Sequence, residues 1–306
     1  DPGRYAMTNA RLEVHQVRGK AVADYKEIFD GVPSQHDGKD AAMIAELTRF
    51  NKGTPWPYVA PTQAEAQMRC DVARNDLYTS EKLRWLSRAE AILARHWPEL
   101  TSLIKLGTVT LEQLCIHYGS PARVIADDQA AANLRRWSRG RLTASKIGQI
   151  LESARTTAGL PMTAADVTWL AEIAETAKRY RERCVEAEKS LKQQAEADAA
   201  MRPLVESVGA VSLCGIWVAV GDPANYDSSG AFVKALGLNL KELSSGKRKG
   251  QLAITKRGNP RARKSLYFWA MRGVQRPELK DWYAKFTRVG RSDESRNSEH
   301  RKMKGL

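Results

Sequence analysis

Cysteine is scarce in this chain and widely spread: Cys70, Cys115, Cys184 and Cys214 are its four, and no two stand at metal-ligand spacing. That excludes a zinc module or a disulfide-stapled scaffold and leaves reduced, mostly buried thiols of a cytosolic protein as the expectation. Histidine is as sparse. His15, His36, His96, His117 and His300 share no spacing, so each is expected to be structural or exposed. Long apolar runs are missing too. The longest, around residues 213–220, is far too short to span a bilayer, and no signal peptide is visible. The chain opens at Asp1 with no methionine and stops at RKMKGL, which reads as a fragment at both ends.

Acidic charge is what the end of the chain lacks. Residues 241–306 carry 19 Lys and Arg against 6 Asp and Glu, so nearly all of the net charge of +14 lies there. Such asymmetry points to a polyanion, above all nucleic acid. A membrane surface is not the expected partner, because no long amphipathic basic helix accompanies the charge. With 42% apolar and 27% charged residues over 306 positions, the composition is that of a globular protein with a real core.

Periodicity predicts a mixed but mainly α chain. Residues 1–55 read as a short α/β piece: 6–16 helical, 20–22 a strand, then a helix from Asp37 with Ile44 and Leu47 on its buried side. Three prolines and a glycine in 51–61 mark a loop. Within 56–100, Thr62 and Glu65 at capping-box spacing open a long helix carrying Met68, Val72, Leu83, Leu86 and Leu93. Within 162–200, Thr163 and Asp166 open another, whose Leu170, Ile173, Ala177, Tyr180, Cys184, Ala187 and Leu191 form a heptad seam. The two suggest an antiparallel hairpin, although the seam could equally face a second protomer. Between them, 101–161 reads as a helical insert with a Gly-containing turn like that of a helix-hairpin-helix. Its Arg135, Arg136, Arg139, Arg141 and Lys146 form either a nucleic-acid face or a solvated one. A mostly helical domain over 201–290 and a basic tail over 291–306 complete the chain. Trp85, Trp169 and Trp269 are expected in the core, and Trp137, flanked by arginines, is the candidate for stacking on a base.

Two constellations carry chemistry. In residues 237–263 a Ser244-Ser245-Gly246 turn is surrounded by Lys247, Arg248, Lys249, Lys256, Arg257, Arg261 and Arg263. A hydroxyl in that field is placed to meet a phosphodiester, with Gly246 and Gly258 allowing close backbone approach. The plainer reading is a basic loop that grips a nucleic-acid backbone without chemistry. Asp37 and Asp40, at i and i+3 on a helix start, could hold Mg²⁺ or Mn²⁺ beside a phosphate, or merely complement the helix dipole.

The order Gly237-Leu238, Ser245-Gly246, Ile254-Thr255-Lys256-Arg257-Gly258-Asn259, then Arg261 and Arg263 before an apolar helix, resembles the DEDD-type transposases of bacterial insertion sequences, which act as RNA-guided serine recombinases. Residues 207–232 look like the opening of the same C-terminal domain, and 101–161 like an insert of one subgroup. Leu240 and Ser207-Val208-Gly209 stand where the family often has proline and Pro-Gly. The resemblance implies Ser245 as nucleophile. Residues 17–47 resemble the end of a RuvC-like domain, which makes Asp37 and Asp40 the last two of four metal-binding acids. The other two would precede residue 1, because Asp1-Pro2-Gly3-Arg4-Tyr5 looks like the stretch that follows the family's Glu. It further implies DNA as substrate, a structured noncoding guide RNA, a dimer or tetramer with composite sites, and work at the nucleoid in the bacterial cytoplasm. Two rivals stay open: a metal-dependent nuclease or junction resolvase in which Asp37 and Asp40 do the chemistry and Ser245 only binds, and a non-catalytic nucleic-acid-binding protein or decayed transposase fragment.

Overall fold

The computed structural model describes residues 14–30, 36–55, 61–245 and 248–288, which fall into two compact units divided after Thr62. In the first, α1 (Gly19–Asp30) packs on α2 (Asp37–Arg49), and β1 (His15–Gln16) pairs antiparallel with β2 (Thr54–Pro55). Val22, Met43 and Leu47 form its small core, with Val17, Ala21 and Tyr25 against them. Residues 20–22 are therefore helix and not strand: Val22 and Tyr25 share a face only at a helical repeat. Of the stretch expected to be helical at 6–16, residues 6–13 lie outside the described ones, and His15–Gln16 is extended. On α2 the buried pair is Met43 with Leu47, spaced i, i+4, while Ile44 is 43% exposed. Leu47 is thus buried as expected, and Met43 takes the place expected of Ile44.

The second unit is built on two helices of 34 residues each, α3 (Gln63–His96) and α9 (Ala164–Ala197). Contacts at Asp71 with Ser190 and Gln194, and at Thr79 with Cys184, run in opposite chain directions, so the pair is antiparallel. Each helix is about 50 Å long at 1.5 Å per residue. The heptad seam faces α3 of the same chain: Leu170, Ile173, Ala177, Cys184, Ala187 and Leu191 are buried and Tyr180 half-buried. At the start of α9 the Thr163 hydroxyl accepts from the Asp166 N–H at 3.2 Å and the Asp166 carboxylate accepts from the Thr163 N–H at 2.9 Å, closing the expected capping box. On α3, Met68, Val72 and Leu93 are buried as expected, but Leu83 is exposed and Leu86 half-buried.

What the sequence did not flag on that face is a carboxylate. Asp71 is 3% exposed, and its Oδ2 accepts from Gln67 Nε2 (3.1 Å), Ser190 Oγ (2.8 Å) and Gln194 Nε2 (2.8 Å), while Arg74 Nη1 reaches Oδ1 at 3.3 Å. Burial pushes its pKa up, but the three side-chain hydrogen bonds and the Arg74 charge outweigh burial, and the net shift is downward. A depressed carboxylate stabilises the fold above its unfolded pKa and loses that contribution as pH falls through the folded value. Asp71→Ala is expected to cost about 3 kcal/mol in urea unfolding at pH 7, with the gap to the parent closing in acid below the ordinary aspartate range. A gap that persists unchanged well below that range would remove the charge from the account.

Between the long helices, α4 (Leu100–Leu103), α5 (Val109–His117), α6 (Pro121–Ile125), α7 (Ala130–Trp137) and α8 (Ala144–Thr156) wrap around Trp97, Leu114, Leu134 and Ile150. Trp97, 1% exposed, donates its indole N–H to Ser153 Oγ at 3.1 Å. It is this tryptophan that fills the core. Trp85 is half-buried under the Arg88 guanidinium, and Trp169 is 53% exposed. Cys115 and Cys214 are buried, and burial raises their thiols to about 12 and about 11, which leaves them inert. Cys184 is buried as well, and Cys70 is exposed.

A short 3₁₀ turn, Arg202–Leu204, leads into α10 (Val205–Val208), α11 (Ala210–Val220) and α12 (Ser229–Leu236). The antiparallel hairpin β3 (Leu240–Ser245) and β4 (Arg248–Ile254) follows, and then α13 (Pro260–Gly273) and α14 (Pro277–Arg288). Apolar α11 sits against α13, α9 and α3, where Leu213 and Cys214 join Met68, Val72, Leu191, Ala195 and Met201 in one core. The architecture is mainly α, as the periodicity predicts. Among the described residues no single helix is long and apolar enough to cross a membrane.

Candidate nucleic-acid interface

The β3–β4 hairpin is anchored at its base by backbone. Gly237 takes φ +70° to end α12, and its carbonyl accepts from the Lys256 N–H at 3.1 Å. Thr255 N–H donates to Asn239 O at 2.8 Å, and Asn259 N–H to Ala235 O at 3.0 Å. Gly258 lies so close to Ala235, Leu236 and Gly237 that a Cβ there would collide with their backbone. The close neighbour of Gly258 is thus the chain itself. Asn259 accepts from the N–H groups of Arg261 and Ala262 to cap α13, and its amide donates to Ala219 O at 2.9 Å. Pro260 then occupies the first turn, where a missing N–H costs nothing.

Register follows from that anchor. Leu240 pairs with Ile254, Lys241 with Ala253, Glu242 with Leu252, Leu243 with Gln251, and Ser245 with Arg248, with an irregularity between Leu243 and Ser245. Ser245 therefore stands at the last rung before the turn, directly opposite Arg248. Gly246 and Lys247 lie outside the described residues, as do the side chains of Ser244, Ser245, Arg248 and Lys249.

The remaining cations of the motif divide by partner. Arg263 is half-buried and donates through Nη1 to Leu236 O (3.2 Å) and Gly258 O (2.8 Å), so it ties the hairpin base to α13. Arg261 and Lys264 both reach the Asp76 carboxylate of α3, at 3.3 Å each. These are exposed pairs, which bind weakly and leave both cations free to meet a phosphate. Lys256, held at φ +57°, and Arg257 are exposed.

Farther along α13, Tyr267, Phe268 and Trp269 are 39%, 49% and 38% exposed, an aromatic run on a basic surface. Trp269 is consequently not a core residue. Its indole N–H donates to Ser207 O at 3.0 Å, and Arg272 and Arg276 donate to Val208 O and Glu206 O. Sequence had an available signal in the adjacency of three aromatics to Arg261, Arg263 and Lys264. Helical spacing alone hid it by suggesting a buried face.

A second basic surface lies on the insert. Arg135 and Arg136 are exposed at the end of α7, and Arg139 is exposed at φ +53° in the turn that follows. Arg135 and Arg136, but not Arg139, line a groove of about 700 Å³ with Ala131, Ala132, Ala144 and Gly148. Trp137 is half-buried, with ring contacts to His117 (5.5 Å) and Tyr118 (5.8 Å), so it packs within the insert instead of offering a free stacking face. The Gly119-Ser120 turn is buried as well: a Cβ on Gly119 would meet Val167 of α9 at 2.8 Å. That turn serves packing.

In the first unit Asp37 and Asp40 share the first turn of α2, as the spacing predicts. His36 caps that helix by accepting from Gly38 N–H at 3.1 Å, and Lys26 of α1 pairs with Asp40. Among the described residues no group of three or more His, Cys, Asp and Glu is placed to hold a metal ion. As they stand, two carboxylates, one of them paired with an ammonium, do not amount to a site for Mg²⁺ or Mn²⁺.

Residues 205–284, which run from α10 into α14 and include the whole hairpin, match the sequence model of the transposase IS116/IS110/IS902 family. Over these residues the chain carries an insertion-sequence transposase domain. No curated protein matches the chain.

Proposed function

We propose that this chain is an insertion-sequence transposase that cleaves and exchanges DNA strands through Ser245. The observation that carries the reading is that the matched segment holds Ser245 at the end of a hairpin whose base is ringed with cations. In the proposed step the serine oxygen forms a bond to phosphorus and the bond to one deoxyribose oxygen breaks. The serine proton ends on that leaving hydroxyl, and the backbone phosphate stays as a phosphoserine ester. Attack by a second DNA hydroxyl reverses the step and frees the serine. No histidine stands near Ser245 in sequence, so charge stabilisation of the phosphate falls to lysine and arginine.

The hairpin region and the insert groove are separate basic surfaces, which supports a protein that holds two nucleic acids at once, DNA and a structured guide RNA. A dimer or tetramer that shares sites between protomers, working at the nucleoid in the bacterial cytoplasm, belongs to the same reading. Mg²⁺ or Mn²⁺ at Asp37 and Asp40 would require Lys26 to give up Asp40 and more ligands to come from outside the described residues.

Salt titration tests the nucleic-acid half directly. Affinity of the full chain for duplex DNA is expected to fall about a thousandfold or more between 50 and 200 mM salt, as contact with about six or more phosphates requires. Lys256→Gln and Arg257→Gln should each lower the slope by about one, uniformly across DNA sequences. A flat dependence would overturn the reading.

A further inference from the structure

Between the base of the hairpin and α13 lies a cleft of about 330 Å³ that none of the proposed strand chemistry uses. Leu238, Ile254, Leu266 and Ala270 give it apolar walls, and Tyr267 and Trp269 give it aromatic ones. Three of its other lining residues, Lys256, Arg263 and Lys264, are cationic, and no acidic residue lines it. This combination is unusual for an exposed surface. Aromatic and aliphatic groups left open to water are unfavourable unless something covers them, and here the cover must also tolerate concentrated positive charge. An apolar peptide satisfies the first condition only. An acidic partner satisfies the second only. An unstacked nucleobase satisfies both, because its flat face suits the aromatic wall while the phosphate attached to it suits the lysines.

Size and rigidity agree with that occupant. The cleft is at the small end of ligand sites, which run from about 300 to 1,000 Å³, so it has room for one base and not for a stacked pair. Its wall is already fixed. Trp269 is pinned through its indole N–H to Ser207 O, and Arg263 is held by two carbonyls, so little order remains to be imposed on binding. Lys256, exposed and held by its backbone bond to Gly237 O, is a cation at the cleft placed to take the flanking phosphate.

We propose that this cleft receives a single unstacked base of a nucleic-acid strand, with the adjoining phosphate on Lys256. The proposal rests on the reading of the chain as a nucleic-acid-handling transposase, and it adds a site that reads a strand only where its bases are free of the duplex. The chemistry at Ser245 is not part of it.

The test uses the full chain and fluorescence anisotropy on three labelled probes: a single-stranded DNA, an abasic single strand of equal length and charge, and a duplex. The single strand with bases is expected to bind about tenfold more tightly than the abasic one. Ala270→Phe, which fills the cleft, should erase that difference and leave duplex affinity unchanged. Tyr267→Ala, at an exposed position that the fold tolerates, should reduce it and serves if the larger side chain disturbs folding. Equal binding of the two single strands, or a difference that survives both substitutions, overturns the proposal and leaves the cleft to a protein side chain or a segment of this chain. Binding of no probe at all would instead overturn the nucleic-acid reading itself, so the two failures are distinct.

Discussion

Ser245→Ala is expected to remove the covalent protein–DNA adduct and to lower strand exchange by roughly a thousandfold or more, while DNA and RNA affinity stay near those of the parent. The asymmetry follows from what the substitution deletes. Binding is distributed over many lysine and arginine contacts, so one small hydroxyl contributes little to it. Catalysis through a phosphoserine ester has no substitute for the attacking oxygen. Ser244→Ala should be milder. Ser245 occupies the paired rung opposite Arg248, whereas Ser244 falls at the irregularity between Leu243 and Ser245, so the two residues hold different backbone positions along the strand. Denaturing gels with end-labelled DNA, followed by mass spectrometry of the adduct, read the outcome. A Ser245→Ala protein that still forms the adduct moves the role to Ser244. One that still cleaves without any adduct supports a metal-dependent nuclease, with Ser245 a binding residue only.

How far the sequence predicts this architecture depends on whether the decisive contact is local. The seam of α9 is legible because Leu170, Ile173, Ala177, Tyr180, Cys184, Ala187 and Leu191 repeat at three and four, and a helix converts that spacing into one face by geometry alone. Its partner is not written in the seam; only the contacts at Asp71 and Thr79 settle that it is α3 of the same chain. On α2 Leu47 is buried as the spacing suggests, and Ile44 is not, for the same reason. Ile44 and Met43 are both plausible inward residues, and the position of α1 selects Met43. Trp169, 53% exposed, stands one position before the buried seam residue Leu170, so it falls off the packed face of α9.

At the candidate site the charges are legible and their uses are not. Residues 240–254 alternate well enough to be a hairpin around the Ser-Ser-Gly-Lys turn, yet the density of lysine and arginine suggests a loop. Arg263 reads as one more phosphate ligand until its carbonyl partners are seen, one of them 27 residues back at Leu236. Gly258 reads as a place for a ligand's backbone approach, and the backbone that approaches is that of residues 235–237. Asn259 belongs to the motif, but that it caps α13 and ties it to Ala219 is not legible there, because a cap is defined by the N–H groups around it. Buried Asp71 and Glu112 were equally silent, since a carboxylate looks the same in sequence whether solvated or enclosed.

Glu112 leads to the largest expected stability effect. It sits on α5 with only 4% exposure, and both its oxygens accept from Arg181 Nε of α9, at 3.1 and 2.9 Å. Glu182, Lys178 and buried Cys115 are the other charged or titratable groups that interact with this pair. Burial pushes the Glu112 carboxyl above its usual range, and the hydrogen bond and charge of Arg181 pull it only part of the way back. Arg181→Met keeps most of the packing volume and takes away the compensation. At pH 7 it is expected to cost about 3–5 kcal/mol in urea unfolding, because a buried carboxylate is left without its partner. The sign with pH is fixed by the direction of the shift. A carboxyl whose folded pKa is raised favours the fold below its unfolded pKa, and that advantage disappears as pH rises through the folded value. The variant's deficit should therefore shrink on acidification toward the ordinary glutamate range, where Glu112 protonates and no longer needs a cation. Adding Glu112→Gln to Arg181→Met should recover most of the lost stability at pH 7. A deficit independent of pH, or a double variant no better than the single one, would show that Arg181 acts through packing and that the ion pair contributes nothing of its own.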